Sequence, residues 1–250
     1  MCIVFFILSH YPFPFNNFLL QMVFLGGIIV LVIFLKNAII FDLDGTLWDT
    51  TYQVAQSWNS VFEKEGLNVV LTPKDIEGCM GLPMDEIFRR LLGGVDADIK
   101  DLRIKCEEAE NDYLLSHGGI LYEKAEQTLN ELKNMGYHLY IVSNCQDGYI
   151  QTFLKCTGFA HLFDDIEMWG RTGLMKGDNI RLVIERNKID NAIYLGDTQG
   201  DFDACKKADV PFVFAEYGMG KAQNPPYSIE KLYDITTLAR KILAIGPNIC

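Results

Sequence analysis

The sequence predicts an α/β fold built on a doubly wound parallel sheet, with a helical insertion after the first strand. Three observations predict it. Short apolar runs at 38–41, 137–142 and 191–195 have strand length, and each stops at a cluster of polar residues. Stretches of helical character lie between the later runs, the alternation expected of a parallel sheet. Between about residues 50 and 118 the strand pattern disappears and only helix-like stretches remain.

Taken in order, residues 1–35 carry no Lys, Arg, Asp or Glu. As a helix, 18–35 would span about 27 Å, just enough for a hydrocarbon core. A transmembrane anchor is one reading, with Lys36 favouring a cytoplasmic side for everything after it. A signal peptide is a second, opposed by the lack of a basic start and of a small-residue cleavage site. A third is translated upstream sequence that is foreign to the natural protein.

Residues 38–41 read as a buried strand that runs into Asp42-Leu43-Asp44-Gly45-Thr46. Strand alternation places i and i+2 on one face, so Asp42 and Asp44 both look past the strand's carboxyl end. Ligands bind there in open α/β sheets. Two adjoining carboxylates call for a cation between them, and a carboxylate also serves as a covalent nucleophile. The backbone N–H groups of Leu43, Asp44 and Gly45 form a candidate anion nest.

In the insertion, Thr72-Pro73-Lys74-Asp75 reads as an N-cap with Pro at the first helical position. Leu82-Pro83-Met84-Asp85-Glu86 opens another helix, and 98–115 is a long, charged, amphipathic one. Arg89 and Arg90 read as solvent-facing, and Trp48 and Trp58 as packing residues. From Glu123 the βα units resume. The strand at 137–142 ends at Ser143-Asn144. Lys176, beside Gly173 and Gly177, opens a helical stretch. The strand at 191–195 ends at Gly196-Asp197-Thr198-Gln199-Gly200-Asp201. A strand at 210–214, a glycine loop at 218–220 and a closing helix at 229–244 complete the chain. Every strand delivers its polar residues at the same end.

The net charge of −11 argues against nucleic acid as a partner. A small phosphorylated ligand stays compatible, because a metal and one lysine supply local positive charge. Seven cysteines without a CxxC pair point to a reducing compartment and free thiols. Cys145 reads as a small residue at a strand-to-helix turn.

The ordered set Asp42-Leu43-Asp44-Gly45-Thr46-Leu47, Ser143-Asn144, Lys176 and Gly196-Asp197-Thr198-Gln199-Gly200-Asp201 resembles the four motifs of the haloacid dehalogenase (HAD) superfamily, over about 36–245. The insertion resembles the cap of phosphoglycolate-phosphatase-like members. The resemblance implies a Rossmann-like core at 36–49 and 119–250, and a helical cap domain at 50–118 hinged near 47–51 and 117–121. It implies a Mg²⁺-dependent, cytoplasmic phosphatase acting on a small phosphorylated metabolite through an aspartyl-phosphate.

Within that pattern Asp42 is the nucleophile and Asp44 the general acid and base. Ser143, Asn144, Lys176 and Gly45 bind phosphate. Asp42, Asp44 (through its carbonyl), Asp197 and Asp201 hold the metal. Asp201 has a second reading as a helix N-terminal acid. Substrate choice would lie in the cap, where Gly81-Leu82-Pro83 resembles the loop facing the site. A compact phosphatase of this type would begin near residue 35, and a membrane is a partner only if 18–35 is an anchor. The alternatives are a sugar phosphomutase of the same superfamily and a membrane-tethered, non-catalytic phosphate-ligand sensor. The mutases carry a histidine where this chain has Val54, and the sensor would not need intact motifs.

Overall fold

A computed structural model of the chain describes residues 19–25, 28–94 and 98–244. The first elements are β1 (Leu19–Leu25) and β2 (Ile28–Phe34), paired antiparallel with Leu25 opposite Ile28. Over the described residues 19–25 and 28–34 the chain forms strands and not the expected membrane-crossing helix; residues 1–18 and 26–27 lie outside the described residues. Among the described residues no helix is long and apolar enough to cross a membrane. Gly26-Gly27 between two apolar runs is a hairpin signal and a poor helix interior. The Ile- and Val-rich second run is stiff at χ1, which favours a strand.

The chain then forms β3 (Asn37–Phe41) and the two-residue β4 (Trp48–Asp49). The helices α1 (Thr51–Lys64), α2 (Pro73–Glu77), α3 (Met84–Leu92) and α4 (Ile99–His117) follow. Thr72 caps α2 in a reciprocal box with Asp75, as its sequence signature predicts. β5 (Ile120–Leu121) returns antiparallel to β4, so the chain leaves and re-enters along one short ladder. That crossing is tight. A Cβ at Gly119 would lie 2.7 Å from Trp48 Cε3 and 2.8 Å from Thr50 Cγ2.

The remaining elements alternate. They are α5 (Ala125–Asn134), β6 (His138–Ser143), α6 (Tyr149–Thr157), β7 (Asp165–Met168) and the one-turn α7 (Trp169–Thr172). After them come α8 (Lys176–Asn187), β8 (Asn191–Gly196), α9 (Gln199–Ala208), β9 (Phe212–Ala215), β10 (Tyr227–Ile229) and α10 (Ile235–Ala244). The main sheet has the order β10-β9-β8-β3-β6-β7, and every pairing is parallel. The chain builds outward from β3 to β7, then crosses back to β8, so β3 is the switch point of the sheet.

Residue parity sorts the core. Ile39, Phe41, Leu139, Ile141, Ile193 and Leu195 pack on the face covered by α5, α6 and α10. Ala38, Ile40, Tyr140, Val142 and Tyr194 pack on the opposite face with Ile180 and Val183 of α8 and Cys205 of α9. With both faces covered, the strands read as continuous apolar runs. A third apolar cluster lies within the four inserted helices and includes Trp58, Phe62, Phe88, Leu102 and Cys106. Each such side chain contributes about 1.5–3 kcal/mol on burial, so the insertion has a core of its own.

Candidate active site

Asp42 continues the even-numbered parity of Ala38 and Ile40, which turns it toward α8 and α9. Lys176, the first residue of α8, meets it there. Its Nζ donates to Asp42 Oδ2 at 2.8 Å and to Asp201 Oδ1 at 2.5 Å, and all three side chains are buried. Asp201 also completes a capping box. Thr198 N and Oγ1 donate to its Oδ2 at 2.9 and 2.7 Å, and Asp201 N donates to Thr198 Oγ1 at 3.1 Å. Asp201 thus caps a helix with one oxygen and grips the lysine with the other.

Asp197 stands one residue past β8. Its Oδ2 accepts from Met219 N and Gly220 N, each at 2.9 Å. The backbone closes tightly around it. A Cβ at Gly45 (φ +75°) would lie 2.2 Å from Asp197 Oδ2, and one at Gly218 would lie 2.3 Å from Asp197 Cβ. Gly45 thus supplies clearance. Its N–H donates to Trp48 O at 3.0 Å, so it is already engaged and does not complete the expected anion nest.

The alternation expected to align Asp42 with Asp44 stops where β3 stops, at Phe41. Leu43 to Leu47 is a turn in which Thr46 N and Leu47 N donate to Leu43 O. Asp44 is carried away from the other acids by that turn. Its Oδ1 accepts from Tyr149 Oη at 2.7 Å and from Thr50 Oγ1 at 3.0 Å. Its side chain lies outside the carboxylate group formed by Asp42, Asp197 and Asp201, whose oxygens come within 4.8 Å of one another.

Charge and burial tune these acids differently. Burial pushes Asp44 up to about 7, opposed by the Tyr149 hydrogen bond and reinforced by the charge of Asp42. Burial raises Asp42 to about 6 against the pull of Lys176. Asp197 rises to about 8 through burial and its neighbours Asp201 and Asp42. Lys176 is held above its ordinary value by the two aspartates, which outweigh the opposing cost of its burial.

When ionised, the three carboxylates against one ammonium carry two net negative charges, the complement of one divalent cation. Asp42 Oδ1 and Asp197 Oδ1 are buried and have no hydrogen-bond partner among the described residues. Two orphaned carboxylate oxygens in an all-oxygen site fit a hard cation such as Mg²⁺.

A cavity of about 40 Å³ lies between this cluster and the inserted helices. Its floor includes Asp42, Asp44, Ser143, Asn144, Gln146 and Tyr149, and its roof Val54, Trp58, Ile76, Leu82, Met84 and Ile87. Ser143 ends β6 and faces this space. Asn144 is already engaged, because its Nδ2 donates to Gly81 O at 2.9 Å and ties the insertion to the core. Arg89 and Arg90 are exposed.

Sequence reasoning missed Tyr149, Gln146 and Glu110. Tyr149 opens α6 behind Gly148, and Glu110 is one acid among several on α4. Neither stands in a local pattern that distinguishes it.

The family model for haloacid dehalogenase-like hydrolases matches residues 39–215. A pyrophosphatase PpaX of Bacillus velezensis is 30% identical over 80% of this chain and 94% of its own length. A phosphoglycolate phosphatase of Vibrio parahaemolyticus is 25% identical over 79% and 93%. Among solved structures, a haloacid dehalogenase-like hydrolase of Bacteroides fragilis superposes with a TM-score of 0.69 at 27% identity. It covers 80% of this chain and 99% of that one.

Proposed function

Since the chain belongs to the haloacid dehalogenase-like hydrolase family, we propose that it is a Mg²⁺-dependent phosphatase that passes the phosphoryl group of a small phosphomonoester through Asp42. The relatives named phosphoglycolate phosphatase and pyrophosphatase support phosphoryl chemistry. One observation carries the reading. Asp42 and Asp44, two residues apart, have different surroundings: an ammonium grips one, while two hydroxyls donate to the other and burial, against those hydrogen bonds, lifts its pKa to about 7.

Asp42 attacks phosphorus, and its carboxylate forms a C–O–P bond as the ester P–O bond breaks. Lys176 fixes the orientation of that carboxylate and offsets phosphate charge. Asp44 gives its proton to the departing alcohol oxygen. As a carboxylate it then takes a proton from the water that attacks the aspartyl-phosphate, which restores Asp42. Asp42, Asp197 and the Asp44 carbonyl would hold the metal, with Asp201 behind them. When bound, Mg²⁺ neutralises the phosphoryl oxygens.

Residues 50–118 act as a cap domain over a core of 36–49 and 119–250, swinging about the β4–β5 ladder and shutting out water when closed. Five free cysteines among the described residues accord with a reducing, cytoplasmic setting. Phosphate release from a panel of small phosphomonoesters tests the reading. Turnover with Mg²⁺ that vanishes in EDTA supports it, and full turnover after exhaustive chelation overturns it.

A further inference from the structure

Glu110 of α4 lines the cavity beside Trp58 and Gln146. This side chain is buried. Its Oε2 accepts from Trp58 Nε1 at 2.7 Å and its Oε1 from Gln146 Nε2 at 2.9 Å. Trp58 belongs to the inserted helices and Gln146 to the core, so the carboxyl bridges roof and floor. Both donors are neutral, so Glu110 has no ion-pair partner there. Burial is the main cause that pushes its pKa up to about 8.

Among the described residues, the charged side chains lining the cavity are Asp42, Asp44 and Glu110, and no Lys or Arg lines it. Lys176 is spent on Asp42 and Asp201. A ligand's second anionic group would enter this space with no cation to meet it, beside acids of its own sign. Such an anion would lose its water with no cation among the lining residues to offset the cost.

On the phosphatase reading, from which this follows, we infer that Glu110 determines specificity: the substrate is a compact phosphomonoester whose alcohol part carries an amine or hydroxyl donor for Glu110 and no second negative charge. The two relatives described above carry names that refer to substrates with a second anionic group, so selectivity here departs from those names.

The test compares kcat/KM with Mg²⁺ for acetyl phosphate, phosphoethanolamine, glycerol 2-phosphate, 2-phosphoglycolate and pyrophosphate. At least one donor-bearing ester should exceed both 2-phosphoglycolate and pyrophosphate by at least about tenfold, the scale of one uncompensated like-charge contact. Glu110→Gln should narrow that ratio at least about fivefold, mainly through KM. Trp58→Phe, which removes a donor that orients Glu110, should narrow it in the same direction. Preference for 2-phosphoglycolate or pyrophosphate overturns the inference. So do equal rates across the panel, failure to turn over either donor-bearing ester, or an unchanged ratio in a folded variant. The panel separates the two levels. If no member of it releases phosphate, the phosphatase reading itself fails; if 2-phosphoglycolate or pyrophosphate is hydrolysed and preferred, only the role of Glu110 fails.

Discussion

On the floor of the cavity, Asp42 and Asp197 each stand one residue past the end of a central strand, and Lys176 and Asp201 stand in the first turn of a helix. On the roof, Val54, Trp58, Ile76, Met84 and Ile87 come from three helices, and Glu110 comes from a fourth. The floor is tied to the sheet backbone, as when Asp42 N donates to Leu195 O at 2.8 Å. The Asn144–Gly81 hydrogen bond and the two-residue β4–β5 ladder help hold the roof to it. The floor side chains stand in short motifs at strand ends and helix starts of one sheet, although 134 positions separate Asp42 from Lys176. The roof side chains come from four inserted helices, which on the proposed reading set selectivity and swing over the floor.

Substitutions on the two sides should therefore differ in size. Asp42→Asn removes the nucleophile while Lys176 keeps Asp201, so kcat should fall at least about 10³-fold with the melting temperature nearly unchanged. Steady-state kinetics beside a thermal melt checks both.

Tyr149→Phe should be milder, about tenfold in kcat, because Asp44 itself remains. Its direction with pH is the sharper signature. Tyr149 donates to Asp44 and favours the ionised form, so losing the hydroxyl moves the Asp44 pKa upward from about 7. Since Asp44 must hold a proton to protonate the leaving group, the alkaline fall in kcat should begin at higher pH in the variant.

Stability without metal gives a third contrast. Asp42, Asp44 and Asp197 keep their protons in the folded protein up to about 6, 7 and 8, against 3.8 for ordinary aspartates. Between those limits the folded state binds more protons than the unfolded, so stability falls as pH rises. The melting temperature of EDTA-treated protein should drop by at least about 5 °C from pH 4 to pH 8. Mg²⁺ should flatten that decline by binding the ionised carboxylates. The smallest effect belongs to the outer roof. Arg89→Ala and Arg90→Ala alter exposed side chains and should change stability by less than about 0.5 kcal/mol and kcat/KM by less than twofold.

The same division explains what could be read in the sequence. β3, β6 and β8 are apolar on both faces and end in polar motifs, so strand and site residue announce each other. β7 was hidden because Asp165 and Glu167 interrupt its apolar character, and Arg186 of α8 satisfies both only in three dimensions. β10 is a three-residue edge strand, too short for any period, and it displaced the expected helix start from 229 to Ile235. The β4–β5 ladder pairs Asp49 with Ile120 and Trp48 with Leu121, 71 and 73 positions apart, and two residues are too few to show any period. Glu110 looks in sequence like any acid on a charged helix, and only packing against Trp58 and Gln146 makes it distinct. Asp44 lines the same cavity as Asp42, but a turn and not strand alternation sets its direction.

The central claim is that Asp42 carries the phosphoryl group. Acid quenching of the protein during turnover of ³²P-labelled acetyl phosphate with Mg²⁺, followed by peptide mapping, tests it most directly. The expected result is acid-stable, alkali-labile label on the peptide that contains Asp42, absent from Asp42→Asn. Undiminished turnover with no protein-bound phosphate, or label on a different residue, would contradict it.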